Sequence, residues 1–213
     1  ETKYDVVIVG GGPGGLAAAK GAREAGAKSV LVLERDDRLG GILPQCVHDG
    51  FGLVHYREAL TGPEYARRAR EEAEQAGAEL KTGAMVTGLT KERVVTAVTR
   101  EGLLTCRAGA VVLATGCRER TRGAIAIPGT RPAGVYTAGA AQNLLNTKNL
   151  MVGRRVVILG SGDIGLIMAR RLTLEGATVL CVAEARPVPG GLERNVSQCL
   201  YDFGIPLYLS TTV

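Results

Sequence analysis

With 213 residues, 46% hydrophobic content and a formal charge of +5, the chain can form one large or two small domains around a real core. No apolar run reaches the ~20 residues of a membrane span, and the first strand-like run begins at Tyr4 with no room for a signal peptide, so a cytoplasmic protein without a membrane span is expected. Aromatics at only 4%, basic residues interleaved with acids, and five widely spaced cysteines without disulfide or zinc spacing argue against nucleic-acid binding, a disulfide framework and a metal site.

The first predicted element is a strand, YDVVIVG, followed by a helix from Pro13 to about Ala25 that stops at Gly26. A second strand, SVLVLE, ends at Glu34, and after a Gly/Pro-rich loop GPEYARRAREEAEQAG reads as a helix with Pro63 at its start and Gly77 as its stop. AELKTG follows. Three short alternating runs between Met85 and Cys106 predict an antiparallel excursion from a parallel sheet, and GAVVLATG predicts a separate buried strand. Residues 117 to 150 hold Pro128, Gly129 and Pro132 and then a helix, AGAAQNLLN. From Arg155 the pattern restarts as strand, Gly turn and helix to Glu175-Gly176. The strand ATVLCVAE, a helix near 190 to 203 and a third strand, IPLYLS, complete it.

The two Gly turns agree residue by residue. Gly10, Gly12 and Gly15 stand in G-x-G-x-x-G with Glu34 at the end of the next strand; Gly160, Gly162 and Gly165 have the same spacing, with Glu184 in the corresponding place. The first glycine makes the tight turn, the second admits a pyrophosphate to the backbone, and the third lets helix and strand pack closely. The helix N-terminus carries partial positive charge, and the acid accepts from a ribose. Two copies predict two dinucleotides. The fold class expected is α/β, with two Rossmann-like dinucleotide-binding units, the first with an antiparallel β excursion and the second incomplete.

GGGPGGLAAA, LERDDRLGG, VVLATG, IPGTRPAGVYTAG and the second fingerprint together resemble the two-dinucleotide-binding-domain flavoproteins, or pyridine nucleotide-disulfide oxidoreductases, over essentially the whole chain. GGILPQCVHDGFG and GCRERTRGAIAIPGTRPAGVYTAGAAQ look like the FAD/NAD subunits associated with anaerobic glycerol-3-phosphate dehydrogenase, opine oxidase and hydrogen cyanide synthase. The resemblance implies an FAD-binding domain over 1–118, a crossover segment over 119–150 and the first half of an NAD-binding domain over 151–213. It carries the FAD contacts to Gly10, Gly12, Pro13, Gly14, Gly15, Glu34, Arg35, Gly40, Gly41, Ile42, Val86, Ala114, Thr115 and Gly116. The NAD(H) contacts fall on Gly160, Gly162, Asp163, Ile164, Gly165, Glu184 and Arg186. Hydride transfer between NAD(H) and flavin is the implied activity, with a separate dehydrogenase or electron-transfer protein for a partner and a homo-oligomer as a further form of assembly. A carboxylate at Glu184 favours NAD(H) over NADP(H), with Arg186 as the opposing charge.

The sequence departs from the family pattern in two places. Disulfide reductases carry two cysteines five positions apart just after the Gly pair; here Leu43 and His48 stand there, and Cys46 lies between them. Cys46 and His48 are therefore candidate catalytic residues of a single-cysteine thiol or peroxide reductase, beside the reading of Cys46 as a small apolar residue lining the flavin pocket. The family also returns to its FAD domain after the NAD domain, and no such segment follows Val213, so a fragment of a chain roughly twice as long is expected. A nucleotide-binding module without catalysis is the third alternative.

Overall fold

The computed structural model describes residues 2–213, which form two compact units, one ending at Cys117 and one running from Arg118 to Val213. The first unit begins with β1 (Thr2–Val9), a β-branched run in which alternate side chains face opposite sides of the sheet. Helix α1 (Pro13–Glu24) has Pro13 in its first turn, where a missing N–H costs nothing. Then come β2 (Val30–Leu33), α2 (Gly62–Gln75), β3 (Glu79–Lys81), β4 (Met85–Leu89), β5 (Val94–Thr99) and β6 (Gly102–Leu113). The spatial order is β3-β2-β1-β6-β5-β4. β3, β2, β1 and β6 run parallel, and β5 and β4 antiparallel to their neighbours.

This arrangement buries both faces of β1 and β2. Ile8, Val30 and Val32 pack under α1 and α2 with Leu16, Ala19, Ala69 and Ala73, whereas Val7, Leu31 and Leu33 meet Val95, Ala97, Cys106 and Ala108 on the other side. Small residues along α1 and α2 let these helices sit close, with Lys20 Nζ bonded to Glu72 Oε2 at 2.9 Å beside the seam. Helix α2 starts in a capping box: the Thr61 hydroxyl accepts from the Glu64 amide, and the Glu64 carboxylate accepts from the Thr61 amide at 2.8 Å.

In the second unit α3 (Ala138–Lys148), capped by Thr137, precedes β7 (Arg155–Leu159), α4 (Asp163–Leu174), β8 (Thr178–Ala183), α5 (Glu193–Cys199) and β9 (Leu207–Tyr208). The three strands are parallel in the order β7-β8-β9. Leu166, Ala169 and Leu172 of α4 fill the core against Val179 and Val182 of β8, Leu145 of α3, and Val196 and Leu200.

Three sequence expectations change. The last alternating run and GAVVLATG are one strand, β6, which pairs antiparallel with β5 and parallel with β1. Within it Gly109 lets the strand pass Asp5, whose carbonyl oxygen would lie 2.8 Å from a Cβ there. The helix near 190 to 203 is shorter, because Gly190 and Leu192 give their amides to side chains of the second Gly turn and so stand outside it. IPLYLS contributes only two strand residues, since Ser210 takes a positive φ of 50° and Thr211 turns its amide to the Glu184 carbonyl.

The closest backbone approach in the first unit is between α1 and the end of β1. A Cβ on Gly15 would overlap the Gly10 carbonyl oxygen, whereas a Cβ on Gly14, one residue earlier, meets nothing within 4 Å. Gly15→Ala is expected to destabilise the protein by about 1–3 kcal/mol, and Gly14→Ala to be neutral or stabilising by up to about 1 kcal/mol through helix propensity. Urea unfolding midpoints check this, and equal midpoints for the two variants would contradict it.

Candidate functional site

Each unit carries a strand, a Gly turn and a helix built in the same way. Gly10 and Gly160 turn the chain at φ of 110° and 98°, a conformation that L side chains rarely adopt. Their amides are held by the carbonyls of Leu33 (2.9 Å) and Ala183 (2.7 Å) on the neighbouring strands. Gly165 packs on the first turn of its unit as Gly15 does, with a Cβ there falling 2.6 Å from the Gly160 carbonyl oxygen.

The middle glycines face open space. A Cβ on Gly12 would meet only the Cα of Gly41 at 3.7 Å, and one on Gly162 nothing within 4 Å. Both glycines are N-cap residues, and neither α1 nor α4 has a side-chain cap, although α2 and α3 each have a threonine cap. A helix start with uncapped amides, positive dipole and no side chain over it is suited to a phosphate. The residues present therefore fit a dinucleotide at both turns.

The carboxylates at the ends of β2 and β8 are buried and bonded alike. Glu34 Oε2 accepts from the Gly11 amide at 2.7 Å and Oε1 from the Asp36 amide at 2.9 Å. Glu184 Oε2 accepts from the Ser161 amide at 3.0 Å and Oε1 from the Arg186 amide at 3.0 Å. Glu184 also receives the Ser161 hydroxyl at 2.6 Å, which first, followed by the amides of Arg186 and Ser161, pulls its pKa down to about 2 against the opposing effect of burial. Arg186 extends into solvent, but its Nε lies 3.6 Å from Glu184 Oε1, so the guanidinium pairs with the carboxylate.

Around the first turn the structure collects most of the expected residues. The Gly40 amide donates to the Gly11 carbonyl at 2.8 Å, and a Cβ on Gly41 would stand 3.0 Å from the Cα of Gly12. Ala114 is bonded to Val9 at 2.8 Å and lies beside Gly10, followed by Thr115 and by Gly116 at a φ of 67°. Ile42 is half exposed beside the Gly pair, and Arg35 pairs with Asp36 at 3.8 Å. Val86 stands in β4 opposite Ala97 of β5, two residues after Ala84, whose amide donates to the Glu34 carbonyl at 2.8 Å. Asp163 anchors the second unit: its Oδ1 accepts from the Leu192 amide (2.8 Å) and from Asn195 Nδ2 (2.7 Å), tying α4 to α5. Ile164 occupies the first turn of α4, beside Gly165.

Cys46 follows a single 3-10 turn, Leu43–Gln45, and is buried, with its thiol donating to the Ile42 carbonyl at 3.5 Å. Burial pushes the thiol pKa up, the opposite of what a thiolate nucleophile needs. His48 is half-buried with its ring 5.2 Å from Phe51, and burial lowers its pKa against the pull of Asp49. These properties suit packing. Among the described residues no cluster of three or more His, Cys, Asp or Glu is placed to hold a metal, and no helix is long and apolar enough to cross a membrane.

The motif reading missed Ser161 and the pair Gly190-Gly191. A signal was present: Gly190 stands six residues after Glu184, as Gly40 stands six after Glu34. A Cβ on Gly190 would lie 3.5 Å from both Glu184 Oε2 and the Gly162 nitrogen, so the second Gly pair closes on the second turn.

Residues 4–213 match the model of the pyridine nucleotide-disulphide oxidoreductase family. An opine oxidase subunit of Rhizobium meliloti is 34% identical over 85% of this chain and 35% of its own length. The alpha subunit of sarcosine oxidase from Rhizobium meliloti (strain 1021) is 30% identical over 87% of this chain and 19% of its own. In three dimensions Lactococcus lactis thioredoxin reductase matches 97% of the chain with a TM-score of 0.72 at 24% identity, a likeness of fold. The chain spans only 64% of that reductase and about a third of the opine oxidase subunit.

Because its folded-state pKa of about 2 lies below the ordinary 4.5, ionised Glu184 stabilises the fold fully above pH 4.5, and this contribution is lost as the pH falls towards 2. The stability difference between wild type and Glu184→Gln, measured by urea unfolding, is expected to be constant from pH 7 to about 5 and to shrink below that. A difference independent of pH down to the acid transition would contradict the assignment.

Proposed function

The chain belongs to the pyridine nucleotide-disulphide oxidoreductase family, FAD-binding oxidoreductases that use pyridine nucleotides, and on that premise we propose that its first turn holds FAD and its second NAD(H). When bound, the two cofactors supply hydride transfer between nicotinamide and flavin. The protein's part is to bind, orient and set charge. The observation that carries this reading is the double occurrence of one arrangement: an uncapped helix start, an open middle glycine and a buried carboxylate bonded to its own turn.

At the first site the uncapped amides of α1 receive the pyrophosphate, Gly12 leaves the space for it, and Glu34 accepts from the adenosine ribose. Gly40 and Gly41 lie along the cofactor, and Ala114, Thr115 and Gly116 close over it, with Arg35, Ile42 and Val86 as further contacts. At the second site Gly162 and the start of α4, including Ile164, take the same part, and Glu184 meets the ribose.

The ionised Glu184 also favours NADH. A 2′-phosphate on that ribose brings nearly two negative charges towards the carboxylate, at about 4 kcal/mol per unit charge for a 4 Å separation and an effective dielectric near 20. Arg186 offsets part of this, and salt screens more. The opine oxidase and sarcosine oxidase relatives are both named as subunits. That supports a further reading in which this chain relays electrons for a separate dehydrogenase subunit.

The visible spectrum of the purified protein is the primary test: a flavin absorbance that NADH bleaches faster than NADPH is expected. A colourless protein, or equal bleaching by the two nucleotides, would overturn the assignment of cofactor or of preference respectively. Gly12→Val is expected to fold and to lose FAD, because a side chain there fits the protein and fills the phosphate space; Gly162→Val is expected to keep FAD and lose NADH binding. Stoichiometric flavin in folded Gly12→Val would contradict the first assignment.

A further inference from the structure

We propose that Ser161 is a positioning residue of the second nucleotide site, whose hydroxyl fastens the 187–191 loop to Glu184 and so holds both in the arrangement that receives the nicotinamide nucleotide. The proposal rests on the reading of the second turn as an NAD(H) site.

Ser161 is fully buried, and its hydroxyl is used in both directions: it donates to Glu184 Oε2 at 2.6 Å and accepts the Gly190 amide at 2.8 Å. The loop that it holds lies against the turn, with Gly191 also close enough that a Cβ would stand 3.0 Å from the Ser161 carbonyl oxygen. The first unit solves the same problem differently. Its counterpart of Ser161 is Gly11, where a Cβ would come within 2.5 Å of Leu39 Cδ2, and the Gly40 amide goes to the Gly11 carbonyl at 2.8 Å. A leucine side chain and a backbone carbonyl thus close the first loop. In the second, Pro189 stands in the place of Leu39, and a side-chain hydroxyl makes the closure.

The substitution also changes what the carboxylate can offer. An ionised carboxylate has about four acceptor sites. Glu34 uses two of them on amides of its own unit and retains two for a ligand; Glu184 uses three, both sites of Oε2 going to Ser161. Ligand recognition by Glu184 is therefore confined to Oε1, the oxygen that also faces Arg186, and Ser161 decides which oxygen that is. A merely structural serine would stabilise the unit without setting nucleotide affinity.

The experiment compares wild type with Ser161→Ala by NADH titration and by amide hydrogen exchange. The alanine variant is expected to bind NADH about tenfold more weakly and to exchange the Gly190 and Gly191 amides at least tenfold faster, with Gly40 exchange and flavin content unchanged. Ser161→Cys, nearly the same size but a weak hydrogen-bonding group, should show the same two effects and serves if alanine unfolds the unit. Unchanged exchange at Gly190, or faster exchange with unchanged NADH affinity, overturns the role of Ser161. A wild-type protein that binds no NADH overturns the reading of the second turn and this proposal with it, and is recognised before any substitution is made.

Discussion

The bond between a buried carboxylate and the amide of its own Gly turn is the constraint on which each unit depends. It joins the ends of two neighbouring parallel strands at the point where the chain leaves the sheet, at Gly11 with Glu34 and at Ser161 with Glu184. A carboxyl group out of solvent is tolerated only when its oxygens are satisfied, and here one amide of the turn and one amide just after the strand satisfy them in each unit. The carboxylate oxygens are therefore held where a ligand would meet them, by the same bonds that hold the turn to the neighbouring strand.

The packing around that bond explains the roles of the glycines better than the motif does. The outer pair work through steric exclusion: Gly15 and Gly165 bring helix and strand together at distances no Cβ would permit. The middle pair work through open space, and the contrast between the two kinds separates what folding needs from what a ligand needs. The absence of side-chain caps on α1 and α4 belongs with the second kind. A Thr cap of the sort found on α2 and α3 would satisfy the amides that a phosphate is proposed to use.

The two units are nevertheless not copies. The first covers the far face of its sheet with the antiparallel strands β4 and β5, and its Gly pair is closed by a leucine and a carbonyl. The second has three strands and gathers α3, α4 and α5 into one core. It closes its Gly pair through Ser161, with Asp163 anchoring the following helix. Charge differs too, since Arg186 stands beside the second carboxylate where the first has Asp36.

The order of elements, the two Gly turns and the acids at their strand ends were all legible from the sequence. Their signals are local: a positive-φ glycine, a proline in a first turn and a β-branched run each act within a few residues. What spans many residues was decided only by the tertiary structure. The run that alternates before Cys106 and the run from Gly109 onward form one strand because β5 flanks its first half and β1 its second, with Gly109 at a close approach to Asp5. Cys46 reads in sequence as a reactive thiol or as an apolar filler; its burial beside Gly62 at the start of α2, which pushes its pKa up, comes only from the fold. Ser161 is an unremarked letter between two glycines in sequence, and its meaning lies in Gly190, 29 positions away, which only folding brings within hydrogen-bond reach of its hydroxyl.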